Sequence, residues 1–142
     1  MIPVTIFHNP ACGTSRNTLG LIRHAGLDPQ VIHYLETPPT KAELRVLVQR
    51  IGVTVRELLR EKETVHAELG LSDPKWTDEQ LLDFMVAHPI LINRPIVVTP
   101  LGAALCRPSE AVLDLLPGEG LKPFVKEDGE VVIDVDGRRV GR

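Results

Sequence analysis

Between Pro3 and Tyr34 the chain runs apolar strand, amphipathic helix, apolar strand, and this order constrains the fold more than any other feature. Residues 3–7 (Pro3-Val4-Thr5-Ile6-Phe7) read as a short strand, stopped by Asn9-Pro10. A helical pattern follows from about Thr14 to His24, with Leu19, Ile22 and Ala25 roughly on one face, and Gly26 suits its C-terminal cap. Val31-Ile32-His33-Tyr34 reads as the second strand. Two strands joined by one helix within so short a span are expected to lie parallel, with a right-handed crossover.

The middle of the chain is helical. Thr40 with Glu43, Thr54 with Glu57 and Thr77 with Gln80 each form a capping box ahead of an apolar run, with Gly52 ending the first helix and His88-Pro89 the last. The period then changes. Ile96-Val97-Val98-Thr99, the turn Pro100-Leu101-Gly102, and Ala103-Ala104-Leu105-Cys106 predict a β-hairpin. Ser109 caps a last helix through about Leu116, halted by Pro117-Gly118. The order βαβ, helices, ββα resembles the thioredoxin superfamily. We therefore expect one α/β domain over residues 1–142: a thioredoxin-like four-stranded mixed sheet with flanking helices. An all-helical insert at about 40–90 separates the βαβ and ββα halves, and a loosely docked extension spans about 117–142.

Charge and cysteine usage exclude several function classes. A net charge of −3 argues against nucleic-acid binding, which wants a basic face. No apolar run approaches the roughly 20 residues that cross a bilayer, and no signal-type segment opens the chain, so the expected compartment is the cytoplasm, without membrane association. The histidines show no ligand spacing and two cysteines make no zinc pattern, so no metal and no bound cofactor are expected.

Cys12 follows a strand and immediately precedes a helix, in His8-Asn9-Pro10-Ala11-Cys12-Gly13-Thr14-Ser15. A thiolate there faces free backbone N–H groups and the positive end of the helix dipole. About 3% of an ordinary thiol is ionised at pH 7, and making most of it thiolate takes about 2.7 kcal/mol. The dipole contributes about 0.3–1 kcal/mol, up to about 2 when partly buried, so nearby cations are also needed. The competing reading, a small buried hydrophobe, fits many free cysteines. The turn, the helix start and Gly13, which permits close backbone approach, favour a reactive thiol. Position 15 is Ser, so Cys12 cannot form the internal disulfide of a Cys-x-x-Cys enzyme; a resolving thiol comes from Cys106 or from outside. If residues 103–107 are extended, Cys106 and Arg107 point to opposite faces, and an Arg107 near the site leaves Cys106 lining the core.

Three arginines stand out by position. Arg107 ends the hairpin, Arg94 precedes Pro95 at the entrance to the third strand, and Arg60 follows a short helix. A planar guanidinium donates paired hydrogen bonds that suit a tetrahedral oxyanion, although each such arginine alone is more often a surface salt-bridge residue. Arg16 and Arg23 read as surface residues of the first helix. Few X-Pro bonds are cis, but a thioredoxin-like fold with a proline opening the third strand raises the chance of a cis Arg94-Pro95 bond, which would set Arg94 beside the thiol. His8 is either a cation or proton donor for Cys12 or a partly exposed strand-end histidine.

Taken together, these residues resemble the glutaredoxin-coupled arsenate reductases of bacteria. The resemblance is strongest in residues 8–19 and in His33-Tyr34-Leu35-Glu36-Thr37-Pro38-Pro39. It continues through Leu58-Leu59-Arg60, residues 88–102, and Leu105-Cys106-Arg107-Pro108-Ser109-Glu110, and is weakest after Pro117. It implies that Cys12 is the nucleophile and that His8 assists thiolate formation. It further implies that Arg60, Arg94 and Arg107 surround the oxyanion, Arg60 serving an As(III) intermediate. On this basis arsenate is the substrate, held by Arg94, Arg107 and the backbone at Gly13, Thr14 and Ser15. Glutathione is the reductant, and a glutaredoxin clears the resulting mixed disulfide. Two rivals share the fold: a non-catalytic redox-sensing transcription regulator and a monothiol glutaredoxin-like oxidoreductase.

Overall fold

The computed structural model describes residues 2–117, 122–134 and 139–140. It divides into two compact units, Met1–Ile32 with Arg94–Arg142, and His33–Asn93.

The first unit is built on a mixed four-stranded sheet of order β2-β1-β3-β4, from β1 (Thr5–His8), β2 (Gln30–His33), β3 (Ile96–Thr99) and β4 (Gly102–Leu105). β3 lies antiparallel to both neighbours, with Val97 opposite Ile6 on one side and Ala104 on the other. Ile6 and Val97 are fully buried, and they meet Leu21 and Ile22 from α1 (Gly13–His24) in one apolar cluster. Helix α1 ends where the chain can turn: Gly26 takes φ 83°, a left-handed conformation that costs glycine little, and Arg23 and His24 stand at the negative end of the helix dipole.

The segment after the hairpin differs from expectation. Ser109–Leu115 is a 3-10 helix, although Val112, Leu113 and Leu115 still enter the core. Beyond it, β5 (Phe124–Val125) and β6 (Val131–Ile133) pair antiparallel, and Val132 and Ile133 are buried among Leu21, Ile22 and Val112. Phe124 lies against Gly20, where an added Cβ would sit 3.4 Å from its ring, and makes an edge contact with His24. Lys126 pairs with Glu110 at 2.7 Å and Arg139 with Asp114 at 2.9 Å. Among the described residues this extension is part of the core, not a loose appendage. Its strands have two and three residues, too short for a period-two pattern to announce them.

The second unit is helical: α2 (Lys41–Ile51), α3 (Val55–Leu58), α4 (Thr64–Glu68) and α5 (Asp78–Ala87), followed by a 3-10 turn at Pro89–Leu91. All three expected capping boxes are formed, with the Thr40, Thr54 and Thr77 hydroxyls each accepting from the backbone N–H three residues on and their own backbone N–H groups donating to the Glu43, Glu57 and Gln80 side chains. Gly52, at φ 80°, ends α2. α4 was not expected; it lacks a side-chain cap bond. Leu59 forms an antiparallel bridge with Ile92, and the flanking bonds, Asn93 N–H to the Leu58 carbonyl at 2.8 Å and Arg60 N–H to the Leu91 carbonyl at 2.7 Å, fix the backbone on either side.

If the extension belongs to the core, Ile133→Ala should destabilise the protein by about 2–5 kcal/mol in urea unfolding, the range for emptying a packed aliphatic site. A change within about 0.5 kcal/mol, typical of surface substitutions, would mean that the segment is only loosely attached.

Candidate active site

The site is assembled where β1 stops and α1 begins. The loop from Asn9 to Cys12 is closed by its own backbone, with Cys12 N–H donating to the Asn9 carbonyl at 3.0 Å and Ala11 N–H to Asn9 Oδ1 at 3.0 Å. Cys12 takes the N-cap position in an extended conformation (φ −97°, ψ 121°), where its sulfur stands beside the first N–H groups of the helix without completing a capping hydrogen bond. Half-buried, it is reached by solvent.

Opposing effects set its charge. Burial is the largest and pushes the thiol pKa up; against it act the Ser15 N–H, a hydrogen bond from Arg107, the Thr14 N–H and the positive charge of Arg107. Together they hold Cys12 below the ordinary thiol value. Arg107 Nη1 lies 3.7 Å from the sulfur and also donates to the Arg94 carbonyl at 2.9 Å, which fixes the guanidinium beside the sulfur.

His8 sits differently from expectation. It is buried, and its Nδ1 lies 2.6 Å from Ser15 Oγ, which also accepts from Asn9 N–H at 3.1 Å. Ser15 is fully buried. The imidazole thus bears on the sulfur through Ser15, whose backbone N–H is one of the thiolate's donors. The serine hydroxyl donates to a neutral Nδ1 and accepts from a protonated one. This role of Ser15 as the link between β1 and α1 was missed at the sequence level; the seven-residue separation of His8 and Ser15 offered no periodic signal.

Arg94 is buried, and the Arg94-Pro95 bond is cis, as expected; Arg107-Pro108 is cis as well. Gly13 has room beside it, an added Cβ meeting Arg16 Nη2 only at 3.6 Å, while the Thr14 carbonyl accepts from Thr18 Oγ1 at 2.8 Å. Arg60 belongs to the helical unit, where its Nε donates to Glu63 Oε1 at 3.0 Å and its Nη1 to Asn93 Oδ1 at 3.5 Å. Cys106 lies just past β4 and is sealed in the apolar core, with Arg107 next to it exposed. Burial, with the nearby charge of Asp114, pushes its thiol up to about 12. Cys106 is therefore not placed to resolve a disulfide on Cys12. Among the described residues, no cluster of His, Cys, Asp or Glu could hold a metal ion.

The two thiols should separate by reagent. Alkylation of folded protein should modify Cys12 with an apparent pKa below the free-thiol value of about 8.5, leaving Cys106 untouched until the chain is denatured. Because the thiolate is the reactive form, the rate should fall as pH drops through that lowered value. A midpoint at or above about 8.5 would contradict the assigned donors. Ser15→Ala should raise the midpoint and, by leaving the buried Asn9 N–H without this acceptor, cost about 1–3 kcal/mol of stability.

Residues 7–115 match the ArsC family. Among curated relatives, an arsenate reductase of Rhizobium meliloti is 61% identical over 96% of this chain and 98% of its own, and one of Escherichia coli K12 is 59% identical over 99% of both. Among solved structures, an arsenate reductase from Vibrio cholerae superposes with a TM-score of 0.78 at 46% identity, covering 81% of this chain and 98% of its own. With the match extending over most of the chain, the protein belongs to the ArsC family.

Proposed function

We propose that this protein reduces arsenate to arsenite in the cytoplasm, with glutathione as reductant and a glutaredoxin as partner. The observation that carries the reading is the Cys12 sulfur at the N-cap of α1, with the Arg107 guanidinium 3.7 Å away and the first-turn N–H groups of Thr14 and Ser15 beside it. Those groups stabilise a thiolate, and they are also suited to hold an oxyanion brought up to it. Family membership and the named activity of the relatives support arsenate as that oxyanion.

In the first step the oxyanion binds to Arg107, to Arg94 and to the backbone at Gly13, Thr14 and Ser15. Cys12 Sγ bonds to arsenic and a protonated arsenate oxygen leaves as water, with no change in oxidation state. Glutathione thiolate then attacks Cys12 Sγ. The sulfur–arsenic bond breaks with its electron pair going to arsenic, which becomes As(III), while the two sulfurs join as a mixed disulfide. Arsenite leaves after protonation, and exchange with the glutaredoxin thiol regenerates Cys12. Ser15 in place of a second cysteine and the sealed position of Cys106 support an external thiol for this step. Phosphate matches arsenate in shape and charge, so discrimination falls to the redox step, since thiols do not reduce phosphate.

The test is arsenite production with glutathione and glutaredoxin. Cys12→Ser should abolish it with the fold intact, whereas Cys106→Ser should retain most turnover; activity left in the first variant would remove the nucleophile. Arg107→Lys keeps the charge but loses the paired geometry, so it should raise the arsenate KM by about tenfold, as expected for loss of about 1.4 kcal/mol of binding. Arg60→Gln should lower kcat if this arginine stabilises the As(III) oxyanion as the sulfur–arsenic bond breaks, and unchanged kinetics would take it out of the machinery.

A further inference from the structure

The β5–β6 hairpin lies beyond the residues that match the ArsC family, yet its turn reaches the loop that carries the nucleophile. Arg16, in the first turn of α1, donates from Nε to Glu127 Oε2 at 3.0 Å and from Nη2 to Glu127 Oε1 at 3.0 Å, while its Nη1 donates to the Pro10 carbonyl at 2.9 Å. Glu127 N–H in turn donates to Asn17 Oδ1 at 3.2 Å. Glu127 thus grips α1 at two successive residues, and the guanidinium it orients braces the peptide two residues before Cys12. The Arg16 N–H also donates to the Cys12 carbonyl at 3.0 Å, so this residue meets both ends of the short segment that holds the sulfur.

An isolated exposed ion pair adds little to stability, so the consequence of this one lies in its geometry. The fork of Arg16 faces two ways at once, toward a carboxylate and toward a backbone oxygen, which a lysine ammonium reproduces poorly. Charges bearing on this corner come from three elements of the unit: Arg107 beyond β4, Arg16 on α1, and Glu127 with Asp128 beside it in the hairpin turn. Glu127 offsets part of the charge that Arg16 presents to the sulfur.

We propose that Arg16, oriented by Glu127 from the C-terminal hairpin, is a positioning residue that holds the Pro10–Cys12 segment so that the sulfur meets its backbone donors. This rests on the reading of Cys12 as the nucleophile and adds the hairpin to the active-site scaffold. A role through charge and a role through geometry have opposite signatures. Removing the Glu127 charge would unmask Arg16 and promote thiolate formation if charge were what mattered. Under positioning, the same change loosens the loop and raises the thiol pKa.

The experiment is alkylation of the full chain against pH, without arsenate, in Arg16→Lys, Glu127→Gln and Glu127→Asp, with mass analysis of which thiol reacts. Arg16→Lys and Glu127→Gln should each move the midpoint up by about half a pH unit, lowering the rate below the midpoint about threefold. Glu127→Asp should restore most of the loss, and Cys106 should stay unmodified, which certifies the fold in every variant. An unchanged profile in Arg16→Lys, or a downward shift in Glu127→Gln, would overturn the proposal. Since no arsenate is used, failure of the reductase assay would sink the functional reading while leaving this readout intact, and the reverse also holds.

Discussion

A half-buried sulfur can carry negative charge only where fixed donors match it, and the first unit brings such donors to Cys12. Burial alone would keep the thiol protonated; the N–H groups of Ser15 and Thr14 and the Arg107 guanidinium reverse the balance at Cys12. The same chain contains the contrast. Cys106 is buried without such donors and is driven up to about 12. Identical side chains thus become a thiol held below its ordinary pKa and a core hydrophobe through their surroundings. Each donor arrives by a different route: β1 ends at the loop, α1 starts with its free N–H groups at the sulfur, and the strand leaving β3 through β4 delivers Arg107. The Arg94 carbonyl then fixes that guanidinium in place.

What could be read from the chain was local or periodic. The three capping boxes are four-residue patterns whose physics is complete within the pattern, and all three are formed. Cys12 at a helix start follows from a strand signal meeting a helix signal. Cys106 is buried and Arg107 exposed, as a strand over 103–107 would have them, although β4 stops at Leu105 and the Arg107 N–H turns back to the Leu105 carbonyl. Strand edges shifted by one or two residues, as hydrogen-bond pairing rather than side-chain pattern sets them.

What escaped was non-local. His8 meets the thiolate's surroundings through Ser15, a contact set by how the loop folds back and not by spacing. Arg16 reads as a surface residue of an amphipathic helix, which by exposure it is; its carboxylate partner stands 111 positions away. Val132 and Ile133 sit in a short charged, glycine-containing stretch with the look of a terminus, yet both are buried against α1 and its neighbours. The 3-10 form of Ser109–Leu115 has no local signature that separates it from an α-helix; its apolar positions serve the core in either form.

The chemistry proposed for this site gives the anion grip and the sulfur different tasks. Guanidinium and N–H donors recognise a tetrahedral oxyanion by shape and charge, whereas only sulfur, by forming and then surrendering a bond to arsenic, selects an element that thiols can reduce. That division predicts where the oxidising equivalents must appear. The most direct measurement is the peptide mass of protein quenched after reaction with arsenate and glutathione, with glutaredoxin left out. The account predicts one glutathione on the Cys12 peptide, dependent on arsenate, with Cys106 still a free thiol. A Cys12–Cys106 disulfide, or arsenite released with Cys12 never carrying glutathione, would contradict it.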